Sequence, residues 1–459
     1  VTARPPRMDK LLASASALRE VFGERALHAC LTQLLEDSKR TWRFGGPLPD
    51  EGSLLERAGE RLRESFRPPL RRVINATGVV LHTNLGRAPL PAQALEAAAK
   101  LLSGYVDLEL DLEARGRGHR DARLEAAFKD LFGTDRSLVV VNNNAAATLL
   151  MLNTLSAGKE TIVSRGELVE IGGGFRMPEV MAASGALLKE VGTTNRTRLS
   201  DYKKAAGRNT GLLLKVHTSN YRIRGFTEDV SLEALVALGC EVKKPVGFDL
   251  GSGLALSPAS IGLADEPTIT AALAAGPDAL CFSADKLFGA CQAGLLLITP
   301  KLAGRFRKNP LLRAMRADKM AYATLGTVLD LYRRGRWREI PALALLGAPA
   351  PLLASKARRL KRLIERAAPG RFVLEVVDAE GRVGGGCAPL ESLPSPAVTV
   401  VPAAGKSREL EAFLRSVGEP PVLGLLAGDR VVLHVRTMTD DDIRDLAARL
   451  KEYPEEASK

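Results

Sequence analysis

The sequence predicts an α/β protein built on a mostly parallel sheet, with a small helical domain ahead of it and a smaller α+β domain behind. Three observations carry this. Between Arg72 and Pro300, short β-branched or leucine-rich runs alternate with alanine-rich helical stretches. Each run is apolar on both faces, as strands buried between two helix layers are, and regular alternation of strand with helix gives a parallel sheet. Outside that stretch the pattern changes: helical periodicity alone precedes it, and basic helices followed by three strand-like runs come after it.

Taken in order, residues 8–38 read as helical, with Leu11, Ala15, Leu18 and Phe22 on one face and Gly23 as a break. The segment Phe44-Gly-Gly-Pro-Leu-Pro-Asp50 ends that unit, and a helix follows over about Ser53–Phe66. Arg67-Pro-Pro69 marks the first boundary. The expected strands of the core are Leu138–Val141, Thr161–Ser164, Leu187–Val191, Leu212–His217, Val246–Leu250, Ala279–Ser283 and Gly294–Thr299. Beyond Pro300 the strand-like runs are Phe372–Val377, Ala397–Val401 and Arg430–Val435, with a last helix from Asp441. The domains expected are 1–67, 68–305 and 306–459, in keeping with about 150 residues per domain.

Composition narrows the class. A chain of 459 residues with 46% hydrophobic and 26% charged content is neither disordered nor a small disulfide scaffold. No apolar run approaches the ~18 residues of a membrane span, and Val-Thr-Ala-Arg-Pro-Pro-Arg7 does not read as a secretory signal. The five cysteines are scattered without a C-x-x-C pair, which argues for reduced thiols in the cytoplasm and against a zinc site, so no metal is expected. The net charge of +12 is uneven: residues 301–366 hold 17 Lys+Arg against 4 Asp+Glu, and residues 1–72 hold 14 against 10. Clustered basic charge suits a polyanion, and aromatic content of 5% points to shape and backbone recognition rather than base stacking.

Three features carry chemistry. Cys281-Phe-Ser-Ala-Asp-Lys286 follows an apolar strand and places Lys286 at its carboxyl end, where a lysine can form a Schiff base with pyridoxal 5′-phosphate. The strand Val246-Gly-Phe-Asp249 ends in an acid able to pair with the protonated pyridine nitrogen. Val141-Asn142-Asn143-Asn144 leads from a strand into a strong helix former, and helix-start amides make a phosphate site. Phosphate site, then Asp, then Lys is the order of fold-type I pyridoxal-phosphate enzymes. The nucleotide-binding signatures G-x-x-x-x-G-K-[ST] and G-x-G-x-x-G are absent, and Ser283-x-x-Lys286 lacks the companion motifs of β-lactamases. Cys281 and Cys291 read as small buried residues.

The runs Arg71-Arg-Val-Ile-Asn-Ala-Thr-Gly-Val-Val-Leu-His-Thr-Asn-Leu-Gly-Arg87, Val141-Asn-Asn-Asn-Ala-Ala-Ala147, Ser164-Arg-Gly-Glu-Leu-Val-Glu170, Gly192-Thr-Thr-Asn195, Lys215-Val-His-Thr-Ser-Asn220, Phe248-Asp-Leu-Gly-Ser-Gly253 and Phe282-Ser-Ala-Asp-Lys286 together resemble the bacterial selenocysteine synthases, the L-seryl-tRNA(Sec) selenium transferases. The turn Gly289-Ala-Cys-Gln-Ala-Gly294 departs from the family's Gly-Gly-Pro-Gln-Ala-Gly, and Ala284 stands where glycine is usual. The resemblance implies a fold-type I transferase core, pyridoxal phosphate on Lys286, and conversion of serine-charged tRNA(Sec) to selenocysteyl-tRNA(Sec) with selenophosphate as donor. It implies a homodecamer, a pentamer of dimers. Asp285, next to Lys286, is the nearest candidate acid for loss of the β-hydroxyl, and Thr193 and Thr194, just past a strand, are catalytic candidates whose hydroxyls could reach the substrate. Asp249, Asn142, Asn143, Asn144, Ser283 and His217 are expected at the cofactor, with His119 another histidine that could reach it. Arg87, Arg313 and Arg316 are expected at the donor phosphate, the last two sharing a helix face at their spacing of three. The basic N-terminal module reads as the tRNA-recognition element, and the 301–366 surplus as a site for the acceptor stem, the donor or another subunit. The rival readings are a related lyase or β-eliminase acting on a small amino acid, and a non-catalytic RNA-binding scaffold.

Overall fold

A computed structural model describes residues 6–172 and 174–454, so Gly173 in the Gly172-Gly-Gly174 run lies outside the described residues. The chain divides into two compact units, Val1–Arg72 and Val73–Lys459.

The first unit is helical: Met8–Ser14, Ser16–Phe22, Glu24–Arg43 and Glu51–Ser65. Gly23 takes φ 82°, a left-handed conformation that ends one helix and starts the next. A second break, not anticipated, falls at Ala15. The last helix begins two residues earlier than expected because the Asp50 carboxylate accepts the Ser53 amide at 2.7 Å and caps it. Leu11, Leu27, Leu31, Leu54 and Leu62 interlock as the core of this unit.

All seven expected core runs are strands, and they form one sheet. They are β1 (Ser137–Val141), β2 (Glu160–Ser164), β3 (Leu187–Val191), β4 (Thr210–Val216), β5 (Val246–Gly251), β6 (Ala279–Ser283) and β7 (Gly294–Ile298). Their spatial order is β1-β7-β6-β5-β4-β2-β3, parallel throughout except for β7, which runs against both neighbours. The period of two separates the sheet's faces: Leu138, Val140, Leu295 and Leu297 enter one apolar cluster, while Val139, Val141, Leu296 and Ile298 enter the other. Both faces are therefore covered, which is why the runs read as continuous apolar stretches.

Beyond the core, Phe372–Val377, Ala397–Pro402 and Arg430–His434 form an antiparallel sheet with Leu425–Ala427 at its edge. The helices Ala350–Ala367 and Asp440–Lys451 add Leu353, Leu360 and Ile443 to a separate cluster there with Val398, Val400 and Leu433. The sequence did not show the pairings that tie this region back to the start of the unit. Ile74–Asn75 pairs with Val422–Leu423, and Val79–Leu81 pairs in parallel with Glu380–Gly384. Among the described residues no helix is long and apolar enough to cross a membrane, and no cluster of His, Cys, Asp and Glu could hold a metal ion.

Candidate active site

Parallel strands deliver their carboxyl ends to one edge of a sheet, and ligands of such sheets sit there. Here that edge gathers Asn142 after β1, His217 after β4, Asp249 near the end of β5, and Lys286 just past β6.

The turn after β1 is fixed from three sides. The Asn142 amide donates to the Met315 carbonyl at 2.9 Å, and Asn143 caps the helix Asn144–Ser156 by accepting the Ala146 amide at 2.8 Å. The Ala147 amide takes the Asn143 carbonyl at 3.1 Å, while the amides of Asn144 and Ala145 have no partner among the described residues. Those two donors at the positive end of a 13-residue helix form an anion cradle. Gly294 lies against it so closely that a Cβ there would meet the Asn143 carbonyl oxygen at 2.1 Å.

Asn144 does not reach into the cradle with its side chain. Its amide nitrogen donates to Asp249 Oδ1 at 2.9 Å, and Thr148, one turn on, donates its hydroxyl to Oδ2 at 2.8 Å. Burial pushes the Asp249 carboxyl up, and Asn144, Thr148 and the Lys286 ammonium pull it back. A buried carboxylate with two neutral donors and one nearby ammonium still favours a further cation, which a protonated pyridine nitrogen supplies.

Lys286 is 5% exposed, and its Nζ makes no hydrogen bond among the described residues. Its backbone is held where the Leu287 amide donates to the Ser252 carbonyl at 3.0 Å, in the loop that follows Asp249. Next to it, Asp285 has both oxygens engaged: Arg87 donates to Oδ2 at 2.9 Å and Ser283 to Oδ1 at 2.5 Å. Ser283 and Asp285 thereby anchor Arg87, whose φ of 62° is a strained left-handed value for a non-glycine residue. Each Asp285 oxygen thus accepts one hydrogen bond in this arrangement. Burial pushes the Cys281 thiol well up, aided by the Asp249 charge, and pushes the Cys291 thiol up as well, so both behave as inert fillers.

The structure does not bring Thr193 and Thr194 to Lys286. They follow β3, the edge strand four intervals from β6, or roughly 19 Å across the sheet at about 4.8 Å per interval. Thr193 is exposed and donates to the Arg196 carbonyl at 3.0 Å, while Thr194 lines a cleft of about 530 Å³ with Glu167, Lys215, Tyr221 and His217. Lys286 and Asp249 are not in the lining of that cleft; His217 is the residue common to both places. Arg313 and Arg316 do not share a helix face, because the helix Pro310–Ala314 stops between them. Arg313 is exposed, whereas Arg316 bridges to Val141 and pairs with Glu109 at 3.2 Å, placing it beside Asn142. His119 falls in the segment just before the helix Ala122–Phe132, and Arg120 next to it pairs with the same Glu109.

Sequence reasoning missed Thr148, Glu266 and Cys387. The first had a signal, since a spacing of four from Asn144 puts both on one helix face. Nothing local marks the other two. Buried polar atoms without partners include Asn144 Oδ1, Ser252 Oγ, His217 Nε2 and both Glu266 oxygens, all on segments that adjoin Asp249 or Lys286. A free amine, a buried carboxylate, an anion cradle and unpartnered polar atoms fit the chemistry of pyridoxal phosphate.

The chain matches the family described as L-seryl-tRNA selenium transferase over residues 73–439. It is 45% identical over 421 residues to the L-seryl-tRNA(Sec) selenium transferase of Solidesulfovibrio magneticus, covering 91% of this chain and 89% of that one. To the enzyme of the same name from Moorella thermoacetica it is 44% identical over 450 residues, 97% of this chain and 95% of that one. Among solved structures, D-glucosaminate-6-phosphate ammonia-lyase superposes with a TM-score of 0.60 at 18% identity, over 85% of this chain and 97% of that one, a likeness of fold alone. Identity at this level, carried across nearly the full length of the transferases and through the lysine edge of the sheet, settles the matter of kinship: the chain belongs to the L-seryl-tRNA(Sec) selenium transferases, a family of fold-type I pyridoxal-phosphate enzymes.

Proposed function

We propose that this chain converts seryl-tRNA(Sec) to selenocysteyl-tRNA(Sec) by loss of the seryl β-hydroxyl and addition of selenium from selenophosphate. The observation that carries the reading is the unpartnered Lys286 amine set between Asp249, with its two donors, and the Arg87–Asp285 pair. Bound there, pyridoxal phosphate supplies an electron sink for negative charge at the substrate α-carbon. Lys286 would hold the cofactor, and its Nζ would serve as the base for the substrate α-proton. Asp249 keeps the ring nitrogen protonated, and the Asn144 and Ala145 amides hold the phosphate. Arg87, poised by Asp285, and Arg316, beside Asn142, are suited to a phosphate-bearing donor, because a guanidinium binds such an oxyanion bidentately. Arg313 and the two threonines would join from outside this arrangement, through a second copy of the chain in a homo-oligomer. The helical first unit supplies the basic surface for tRNA, and the reaction belongs in the cytoplasm with the rest of translation.

The test is direct. Full-length protein with pyridoxal phosphate, seryl-tRNA(Sec) and selenophosphate should yield selenocysteyl-tRNA, and Lys286→Ala should yield none. Deamination of free serine with no turnover of the charged tRNA would replace this reading with that of a small-molecule lyase.

A further inference from the structure

Glu266 is out of place by every rule of burial. It is 3% exposed, and neither of its carboxylate oxygens accepts a hydrogen bond among the described residues. A buried carboxylate without donors is costly, and native chains keep one only where something gains from it. Its backbone is not free to relieve the problem. Pro267 follows directly, Thr268 caps the helix Ile269–Ala275 by accepting the Ala271 amide at 3.1 Å, and the Ile269 amide donates to the Leu254 carbonyl at 2.8 Å.

The nearest polar partner is His217. Its Nε2 lies 3.4 Å from Glu266 Oε1 without the alignment of a hydrogen bond, and that nitrogen is also buried and unpartnered. The two side chains are close enough that a small rotation of the carboxylate makes the bond. His217 is tied to the reaction centre through its amide, which donates to the Asp249 carbonyl at 2.9 Å. Its ring also reaches the wall of the 530 Å³ cleft. Glu266 belongs to the same neighbourhood as the lysine: the buried Cys387 thiol feels the charges of Lys286, Glu266, Arg87 and Asp285 together. The imidazole therefore spans from an enclosed carboxylate to the open side of the site.

We propose that Glu266 is a positioning residue for the transferase reaction, which fixes the proton of His217 on Nε2 and so presents Nδ1 to the cofactor and substrate. A neutral imidazole carries one proton, and which nitrogen holds it is set by the hydrogen bond the other side of the ring makes. With Nε2–H donated to Glu266, Nδ1 is an acceptor fixed in orientation, on a residue whose backbone is tied to that of Asp249. Without Glu266 the ring is free to choose either tautomer and to turn. The proposal rests on the transferase reading for its role, and on the structure alone for the placement.

Two measurements on the full-length protein separate these. In cofactor-free protein labelled with ¹⁵N-histidine, a His217→Gln spectrum identifies the His217 signals among the five histidines. The wild type and Glu266→Gln, which keeps an acceptor oxygen, should show Nε2 protonated; Glu266→Ala should show a mixture of tautomers. Glu266→Gln, which keeps the acceptor without the buried charge, should melt no lower than the wild type. In the cofactor-loaded enzyme, Glu266→Ala should lower kcat at least about tenfold with KM for seryl-tRNA little changed, and Gln, whose side-chain oxygen still accepts from Nε2–H, should restore most of it. An unchanged His217 tautomer in Glu266→Ala overturns the proposal. So does a lower melting temperature accompanied by equal loss of activity in both variants, which would make Glu266 a structural residue only. A wild type that binds cofactor but makes no selenocysteyl-tRNA would refute the transferase reading, while the tautomer and melting measurements would still decide the placement.

Discussion

Gly294→Ala is the sharpest test of how the cofactor edge is built. The new Cβ would sit 2.1 Å from the Asn143 carbonyl oxygen, 2.5 Å from its carbon and 2.9 Å from Val141 Cγ2. Carbon–oxygen contacts settle near 3.3 Å, so the turn after β1 must retreat by about 1 Å. Both colliding groups are fixed, since β7 pairs Gly294 with Val141 on one side and with Ser283 on the other. Overpacking of this kind costs about 1–3 kcal/mol. The same retreat draws Asn144 away from Asp249, and a hydrogen bond to a charged group contributes about 1.5–3 kcal/mol. If half of that combined strain falls on the cofactor-bound state, the dissociation constant of pyridoxal phosphate rises roughly ten- to a hundredfold. Titration of the cofactor by absorbance, beside thermal melts with and without it, reads both effects. Gly304→Ala is the control: it lies in the helix Pro300–Lys308 with open space around its missing Cβ, and should be neutral or slightly stabilising. Wild-type cofactor affinity and melting in Gly294→Ala would refute the idea that the cradle is pinned by this contact.

Other consequences are equally concrete. Thr148→Val removes the hydroxyl that Asp249 Oδ2 accepts, so cofactor affinity should fall about tenfold while the protein stays folded, checked by equilibrium dialysis. Asp249 has a raised carboxyl in the cofactor-free chain because it is buried. Its contribution to stability is therefore full below the ordinary aspartate value of about 4 and is lost as pH rises through the raised one. Cofactor-free wild type should lose melting temperature relative to Asp249→Asn across that window, and parallel curves would contradict this. Arg316→Ala breaks a pair with Glu109 that is about a third exposed on both sides, so stability should change by less than about 1 kcal/mol. Its effect should appear instead as a higher KM for selenophosphate, and an unchanged KM would remove Arg316 from the donor site.

The core was legible because each of its strands is buried on both faces, which leaves an unbroken apolar run bounded by turns. The strands Val79–Leu81, Glu380–Gly384 and Cys387–Pro394 were not, for the opposite reason. The last two include glycine, glutamate, serine and proline and pair with each other, and the three-residue Val79–Leu81 is a strand only through Glu380–Gly384, some 300 residues away. The site divides in the same way. Lys286, Asp249 and the asparagine turn stand at strand ends, where sequence order foretells position. Asp285 and Ser283 were named correctly as neighbours of the lysine, yet their engagement with Arg87 depends on a turn nearly 200 residues earlier. Glu266 arrives from a loop, and Cys387 from the start of the strand Cys387–Pro394, by paths that no local pattern announces. The separation of Thr193 and Thr194 from Lys286 follows from the strand order, which places consecutive segments at opposite ends of the sheet.

The pairing of Val79–Leu81 with Glu380–Gly384 also orders events in time. A ribosome releases residues 73–300 long before residue 384, so the segment that carries Arg87 emerges without the strand it will lie beside. Contacts of such sequence separation close late, after the seven-stranded sheet can already have formed from nearer neighbours. A nascent chain can thus pair Arg87 with Asp285 while the strand beside that segment still lacks its partner. That pairing is completed only when the carboxyl-terminal third folds back, so that the last-made part of the chain closes against Val79–Leu81.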